Sequence, residues 1–271
     1  MKVENIRVTN FENAVRGMRN PMNSWNKMDS AFGIGSEEWT EADWSVAEAW
    51  VMKDGLSVDS EGYDEAIEKY DAWLIKNGVI HKDKNSNCFE YAFIGPNDMD
   101  LAQRLIKAGP EHCKFLRQIF ISMDITAPLY WWKEFDTYKI GTTANSTSTM
   151  HKLASKPITL DCFEIDDLTT ELHIKNEAPL ADCFHMNSIQ GFINYLEALR
   201  QKYLETKDKR YWKELVRWLP NGWLQTRTWT GSYANLRNMR HQRKGHKLTE
   251  WHFMCDTIDT LPYAEEFINC K

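Results

Sequence analysis

The chain has 271 residues, 42% of them hydrophobic and 13% aromatic with twelve Trp, which is enough length and apolar surface for a substantial core and rules out a disordered composition. A formal net charge of −6 argues against a protein that coats nucleic acid through non-specific phosphate contacts. No run reaches the ~18–20 apolar residues of a membrane span, and the opening MKVENIRVTNFENAV lacks the apolar centre of a signal peptide, so a cytoplasmic protein with no membrane partner is expected. The six cysteines (Cys88, Cys113, Cys162, Cys183, Cys255 and Cys270) form no CxxC pair and read as free thiols or small core residues. Cys183 and His185 carry ligand chemistry, but no second pair stands at zinc spacing, so no structural metal is expected.

In chain order, residues 1–35 mix turn formers, including NPMNSW around Pro21, with short apolar runs. Ser36 to Trp50 predicts a helix from its N-cap serine, early acids and the spacing of Trp39, Val46 and Trp50. Tyr63 to Lys76 predicts a second, ending at Asn77-Gly78, and His81 to Asn87 a polar loop. Met99 to Lys107 predicts a third, stopped by Gly109-Pro110. From Arg117 to Ile125 the period changes to two, with Ile119, Ile121, Met123 and Ile125 alternating against Gln118, Ser122 and Asp124, which is a half-buried strand. Pro128 then opens an aromatic helix, LYWWKEFDTYK. GTTANSTSTMHK predicts a loop, with six Ser or Thr between Thr142 and Thr149; it reads as a solvent loop unless something basic faces its hydroxyls. Asn187 to Lys207 and Lys209 to Trp218 predict two more helices, the second broken by Leu219-Pro220-Asn221-Gly222. Thr228 to Gly245 and Leu248 to Leu261 predict the last two, and further strands are expected within 1–35, around Ile158–Ile174 and near Trp223–Arg227.

The segment Thr228 to Trp251 carries the sharpest chemical signal. Read as a helix, it places Trp229, Leu236 and Met239 on one apolar stripe, and Arg243 is the next residue on that stripe. A cation facing a core needs an anion or several acceptors. Beside it runs an uncharged row, Asn235, Asn238 and Gln242, with Arg237, Arg240, His241 and Lys244 outside. The pattern fits a ligand-facing helix or, equally, a salt-bridged or partner-facing one. The basic cluster Arg237–Lys247 suits a small phosphate-bearing ligand better than a polymer.

Leu219-Pro220, Trp229-Thr230, Leu236, Asn238 and Arg243 resemble, without gaps, the C-terminal half of flavin-dependent thymidylate synthases. A second ungapped segment agrees: a helix, a glycine, His112, a strand, Ala127-Pro128 and an aromatic helix. The family signature Arg-His-Arg, seven residues, Ser and a further Arg two on is altered. In register stand Thr137-Tyr138-Lys139, and with one residue inserted the serine is Ser148 and the arginine position Met150. The family arginine ahead of the Leu-Pro pair falls at Val216, next to Arg217.

The resemblance implies an α/β (α+β), helix-rich fold with a central, mainly antiparallel sheet flanked by helices. It implies a single domain over 1–271 with 36–95 a helical insertion atypical of the family. The implied activity is FAD- and methylenetetrahydrofolate-dependent C5 methylation of a deoxypyrimidine monophosphate, with NADPH as reductant, in a cytoplasmic homotetramer. The default substrate is dUMP, and dCMP or a modified variant is the alternative. Arg243 and His112 are the implied catalytic residues. Asn238, Ser232, Asn235, His112 and Lys139 are implied on the cofactor, and Arg243, Ser148, Lys139 and Arg217 on the substrate. Arg217 has a plainer reading as the partner of Glu214 on one helix surface. A non-catalytic nucleotide-binding or assembly protein on the same fold is the competing expectation.

Overall fold

A computed structural model describes residues 1–35, 41–82, 88–165 and 186–270, and only the backbone at 41–43, 150–151 and 186–188. The expected N-cap Ser36, the pair Cys183 and His185, and the parts of the expected 81–87 loop and 158–174 strand beyond those bounds lie outside the described residues. Two compact units emerge. One comprises Met1–Val3, Asp124–Thr137 and Ala144–Thr228; the other comprises Glu4–Met123, Tyr138–Thr143 and Trp229–Lys271.

In the larger unit, α1 (Phe11–Arg19) follows β1 (Lys2–Thr9), and β2 (Ala31–Gly35) leads into α2 (Glu41–Lys53) and α3 (Tyr63–Gly78). Then come β3 (Val79–Lys82), β4 (Phe89–Phe93) and α4 (Pro96–Lys107). The stretch expected as a helical insertion therefore holds two helices and two strands. β2, β4 and β3 form a three-stranded sheet in that order, antiparallel throughout, with Ala31 opposite Phe93 and Gly35 opposite Phe89. Val46, Val51, Ile67 and Leu74 from the two helices pack with Phe89 and Phe93 of the sheet into one core cluster.

A second sheet has the order β1-β5-β7-β6, with β5 at Phe120–Pro128, β6 at Thr143–Ser146 and β7 at Leu224–Ser232. β5 keeps the expected period of two: Ile121, Met123, Ile125 and Ala127 are buried. The run expected as a loop from Gly141 instead contributes β6 and a short helix, α6 (Thr149–Lys152), because its Thr147 N–H donates to Thr226 O across to β7.

The smaller unit adds α5 (Leu129–Phe135), α7 (Met186–Thr206) and α8 (Lys209–Arg217). Leu153, Ile158, Ile193, Leu196 and Leu215 form its core, with Trp223 packed against them. The α8 N-cap is Asp208, whose carboxylate accepts from Arg210 N at 2.9 Å. Among the described residues no helix is long and apolar enough to cross a membrane, and no three His, Cys, Asp or Glu side chains cluster as a metal site. Cys113, Cys162, Cys255 and Cys270 are free thiols.

The principal polar constraint of the larger unit is Asp98, which is 0% exposed at the start of α4. Its Oδ1 accepts from Arg19 Nε at 2.5 Å, and its Oδ2 from Asp29 N, Ser30 N and Ser30 Oγ. Asp29 returns the favour by accepting from Asn97 N and Asp98 N. Burial pushes the Asp29 carboxyl up, against those backbone hydrogen bonds. Gly95 is required here, since a Cβ would run into Asp29.

Asp98→Ala should destabilise the fold by about 3–5 kcal/mol, because it strands a buried guanidinium without its partner; a loss under about 1 kcal/mol in guanidinium unfolding contradicts this. In the smaller unit, Glu197 accepts from Arg200, Gln201 and Ile158 N, and the Arg200 hydrogen bonds above all hold its carboxyl down at about 2, against an ordinary 4.5. A depressed folded value means that the contribution is complete above the ordinary value and is lost as pH falls toward about 2. Glu197→Gln should therefore lower stability at neutral pH and flatten its fall between about pH 4.5 and 2. Parallel thermal melts of the two proteins across that window decide it.

Candidate functional site

The helix expected from Thr228 begins at Tyr233 instead. Residues through Ser232 belong to β7, and α9 spans Tyr233–Arg243. Trp229 is therefore a buried strand residue and not part of the helix stripe, and Gly231 is needed beside it because a Cβ there would meet the indole. The switch occurs at a capping box. Ser232 Oγ takes the Asn235 N–H, and Asn235 Oδ1 takes the Ser232 N–H at 3.0 Å. Leu236 and Met239 do face the core, both 0% exposed.

Arg243 is the last residue of α9 and is half-buried, not sunk in the core. Its Nε donates to Tyr138 Oη at 2.9 Å, and its guanidinium lies 4.5 Å from the Trp251 ring centroid and 5.6 Å from that of Tyr138. Trp251 comes from α10 (Thr249–Asp259) and is fully buried. A cation at a helix C-terminus is favoured by the dipole, and aromatic faces add about 0.5–2 kcal/mol. Tyr138 Oη in turn donates to Gln242 Oε1 at 2.9 Å, and Gln242 Nε2 donates to Asn238 Oδ1 at 2.8 Å. The anomaly read from the sequence thus has its answer in a relay Arg243–Tyr138–Gln242–Asn238.

The residues expected outside do not all face solvent. Arg237 donates to Ile268 O at 2.9 Å, and Arg240 forks onto Asp259 with two contacts of 2.8 Å, because α10 and the π-helical turn Ala264–Asn269 pack on that side. His241 is exposed at its surface end, yet partial burial, then Arg237, Arg240 and Lys244, lower its pKa.

Segment 138–140 is tied to α9 at both ends, since Asn235 Nδ2 donates to Ile140 O at 2.8 Å. Lys139 between these anchors is exposed, as is Asn238. Lys139, Asn235, Asn238, Ser232 and Arg243 are thereby brought onto one locale of the larger unit. Ser232 and Asn235 spend their polar atoms on the cap and on Ile140. His112, in the turn after α4, is exposed, and its N–H closes that turn on Gly109 O at 3.0 Å. Ser148 and Arg217 belong to the smaller unit. Ser148 is half-buried and lines a cavity there, whereas Arg217 is exposed and paired with Glu214, the plainer of its two readings. Tyr138 and Trp251, which hold Arg243, were not singled out by sequence pattern; the signal available was an aromatic at the signature's histidine position.

No protein-family model and no curated protein matches the chain. Among solved structures it is similar to the crystal structure of the flavin-dependent thymidylate synthase ThyX from Helicobacter pylori complexed with FAD and dUMP. That match has a TM-score of 0.55 and 14% identity over 100% of this chain and 99% of that one. A second structure of ThyX from that organism, also with FAD and dUMP, gives 0.54 and 14% over 99% of each. The chain has the flavin-dependent thymidylate synthase-like fold, helix-rich α/β with antiparallel pairing.

Tyr138→Phe keeps the ring beneath Arg243 but removes the acceptor for its Nε and the donor to Gln242, and should cost about 1–2 kcal/mol. Tyr138→Ala, which also removes the aromatic face, should cost more. Equal unfolding midpoints for wild type and Tyr138→Phe would sink the relay as a stabilising element.

Proposed function

We propose that the protein is a flavin- and folate-dependent nucleotide methyltransferase that modifies C5 of a deoxypyrimidine monophosphate, with dUMP the first candidate substrate and dCMP or a modified variant the alternative. The observation that carries this reading is the end-to-end likeness of the chain to a fold seen in complex with FAD and dUMP. The local chemistry is compatible with it. Lys139 and Asn238 offer a cation and an amide suited to the phosphates and the imide edge of a flavin nucleotide, and Arg243 on the same locale offers a cation suited to the carbonyl edge of a pyrimidine.

Reduced FAD, when bound, supplies the hydride, and methylenetetrahydrofolate the carbon. This chain's residues then have roles in binding and charge placement. Arg243 presents a fixed positive charge to the carbonyl edge of the base and stabilises the negative charge that develops as C5 becomes nucleophilic. Its orientation is set in advance by Tyr138 and Trp251, so little reorganisation accompanies the reaction. Asn238 offers its amide on the flavin side, steadied by Gln242. Ser232 and Asn235 act by positioning the start of α9. Lys139 and Ser148 serve the nucleotide phosphate, His112 the flavin or folate approach, and Arg217, which also pairs with Glu214, the substrate. NADPH as reductant, a homotetramer and a cytoplasmic location belong to the same proposal.

One feature favours a second reading, a nucleotide-binding or assembly protein without turnover: the polar groups of Tyr138, Gln242 and Asn238 hydrogen-bond to each other. Purified protein should carry, or take up, a chromophore absorbing near the flavin bands and release FAD on denaturation. With methylenetetrahydrofolate and NADPH it should then methylate dUMP or dCMP. Arg243→Ala should retain FAD and lose about 100-fold or more in kcat/KM. Failure to bind FAD ends the enzymatic reading. Nucleotide binding without product, unchanged in Arg243→Ala, establishes the second.

A further inference from the structure

The hydroxyl-rich run between Thr142 and Thr149 does face basic groups. In the smaller unit a cavity of about 440 Å3 has Ser148, Thr149, Lys152, Lys156, Leu153 and Trp223 among its lining residues. Lys152 and Lys156 are exposed, and neither ammonium has a hydrogen bond or ion pair among the described residues. Among the described residues, none that lines the cavity is acidic. Two cations that share one cavity with hydroxyls, and with no carboxylate among its described lining residues, favour an anionic ligand.

The frame around them is fixed. Thr147 is pinned to β7 twice, its N–H donating to Thr226 O at 2.9 Å and its O accepting from Gln225 Nε2 at 3.0 Å. Ser155 Oγ donates to Lys152 O at 2.6 Å, holding the turn that separates the two lysines. Leu153 and Trp223 belong to the core cluster of this unit, and Trp223 is braced edge-on by Phe163 with ring centroids 5.5 Å apart. The lining thus combines apolar side chains anchored in the core with two positive charges. A metal ion is a poor fit to ammonium groups, whereas a dianion with an attached ring or chain satisfies both parts.

We propose that this pocket is a phosphomonoester-binding site, in which Lys152 and Lys156 neutralise the phosphate dianion and Leu153 and Trp223 take the apolar part of the ligand. Its assignment to the phosphate of the pyrimidine nucleotide rests on the proposed function; the phosphate chemistry itself does not. The lysines supply as point charges what a guanidinium fork supplies with geometry, which suits a phosphate approached from a range of angles.

The test is calorimetric titration of the full chain, wild type and Lys152→Gln/Lys156→Gln, with dUMP, deoxyuridine and phenyl phosphate at low and high salt. Wild type should bind dUMP about tenfold or more tightly than deoxyuridine, with the preference weakening as salt rises. The double variant should lose that preference while retaining FAD uptake and its unfolding midpoint, since both positions are exposed. Lysine-dependent binding of phenyl phosphate without dUMP binding supports the pocket and refutes the nucleotide assignment. FAD uptake and turnover with an unchanged dUMP preference in the double variant overturn the pocket and leave the function standing. Absence of lysine-dependent binding by either phosphate ligand also overturns it.

Discussion

A half-buried guanidinium must find π faces or acceptors for the part withdrawn from water, and the way Arg243 does so organises its surroundings. Its Nε bond to Tyr138 and its stacking on Trp251 join three separate pieces of chain: the segment after α5, the end of α9 and the start of α10. Because Tyr138 is also bonded to Gln242, the phenol oxygen is both acceptor and donor, and the path of residues 138–140 along α9 follows. Lys139 has its position only as a consequence. Remove the phenol and the cation keeps only the Trp251 face, and the segment only its Ile140 anchor.

A second constraint of the same kind, far along the chain, is Asp98. Its carboxylate satisfies the end of α1 through Arg19 and the turn before β2 through Asp29 and Ser30, so one buried charge sets three backbone directions. The two solutions differ in cost. Asp98 is fully enclosed and needs every lone pair occupied, whereas Arg243 keeps part of its surface toward water and tolerates aromatic faces. A charge intended for a ligand has to resemble the second.

How far the fold can be read from sequence varies with the type of signal. The alternation from Ile119 to Ile125 is legible because only one face of β5 is buried, and period two has no helical rival there. The start of α9 was misplaced because Trp229, Leu236 and Met239 fit a helical stripe, although Thr226, Thr228 and Thr230 are β-branched residues suited to a strand and Ser232 with Asn235 forms the true cap. β3 and β4 were missed because each is short, and because β4 pairs with β2 more than fifty residues earlier, a pairing no local window contains, while β3 pairs with β4 alone. At the site, Arg243 was identifiable from its conflict with the stripe. Its clamp was not, since Tyr138 stands more than a hundred positions earlier. Lys152 and Lys156 needed the cavity before they meant anything.

Tyr263 gives the fold an order in time. Its hydroxyl donates to Ala92 O at 2.8 Å and accepts from Ile94 N at 3.0 Å, at the end of β4, and its ring stands edge-on to Trp73 of α3. Burial drives the phenol's pKa upward, so these bonds persist at any ordinary pH. The backbone groups they satisfy belong to a sheet built from residues synthesised some 170 positions earlier. On the ribosome that sheet has its strands and helices in hand but two buried peptide groups without partners until residue 263 arrives. Full hydrogen bonding of that sheet therefore depends on the last turn of the chain, however early its strands are made.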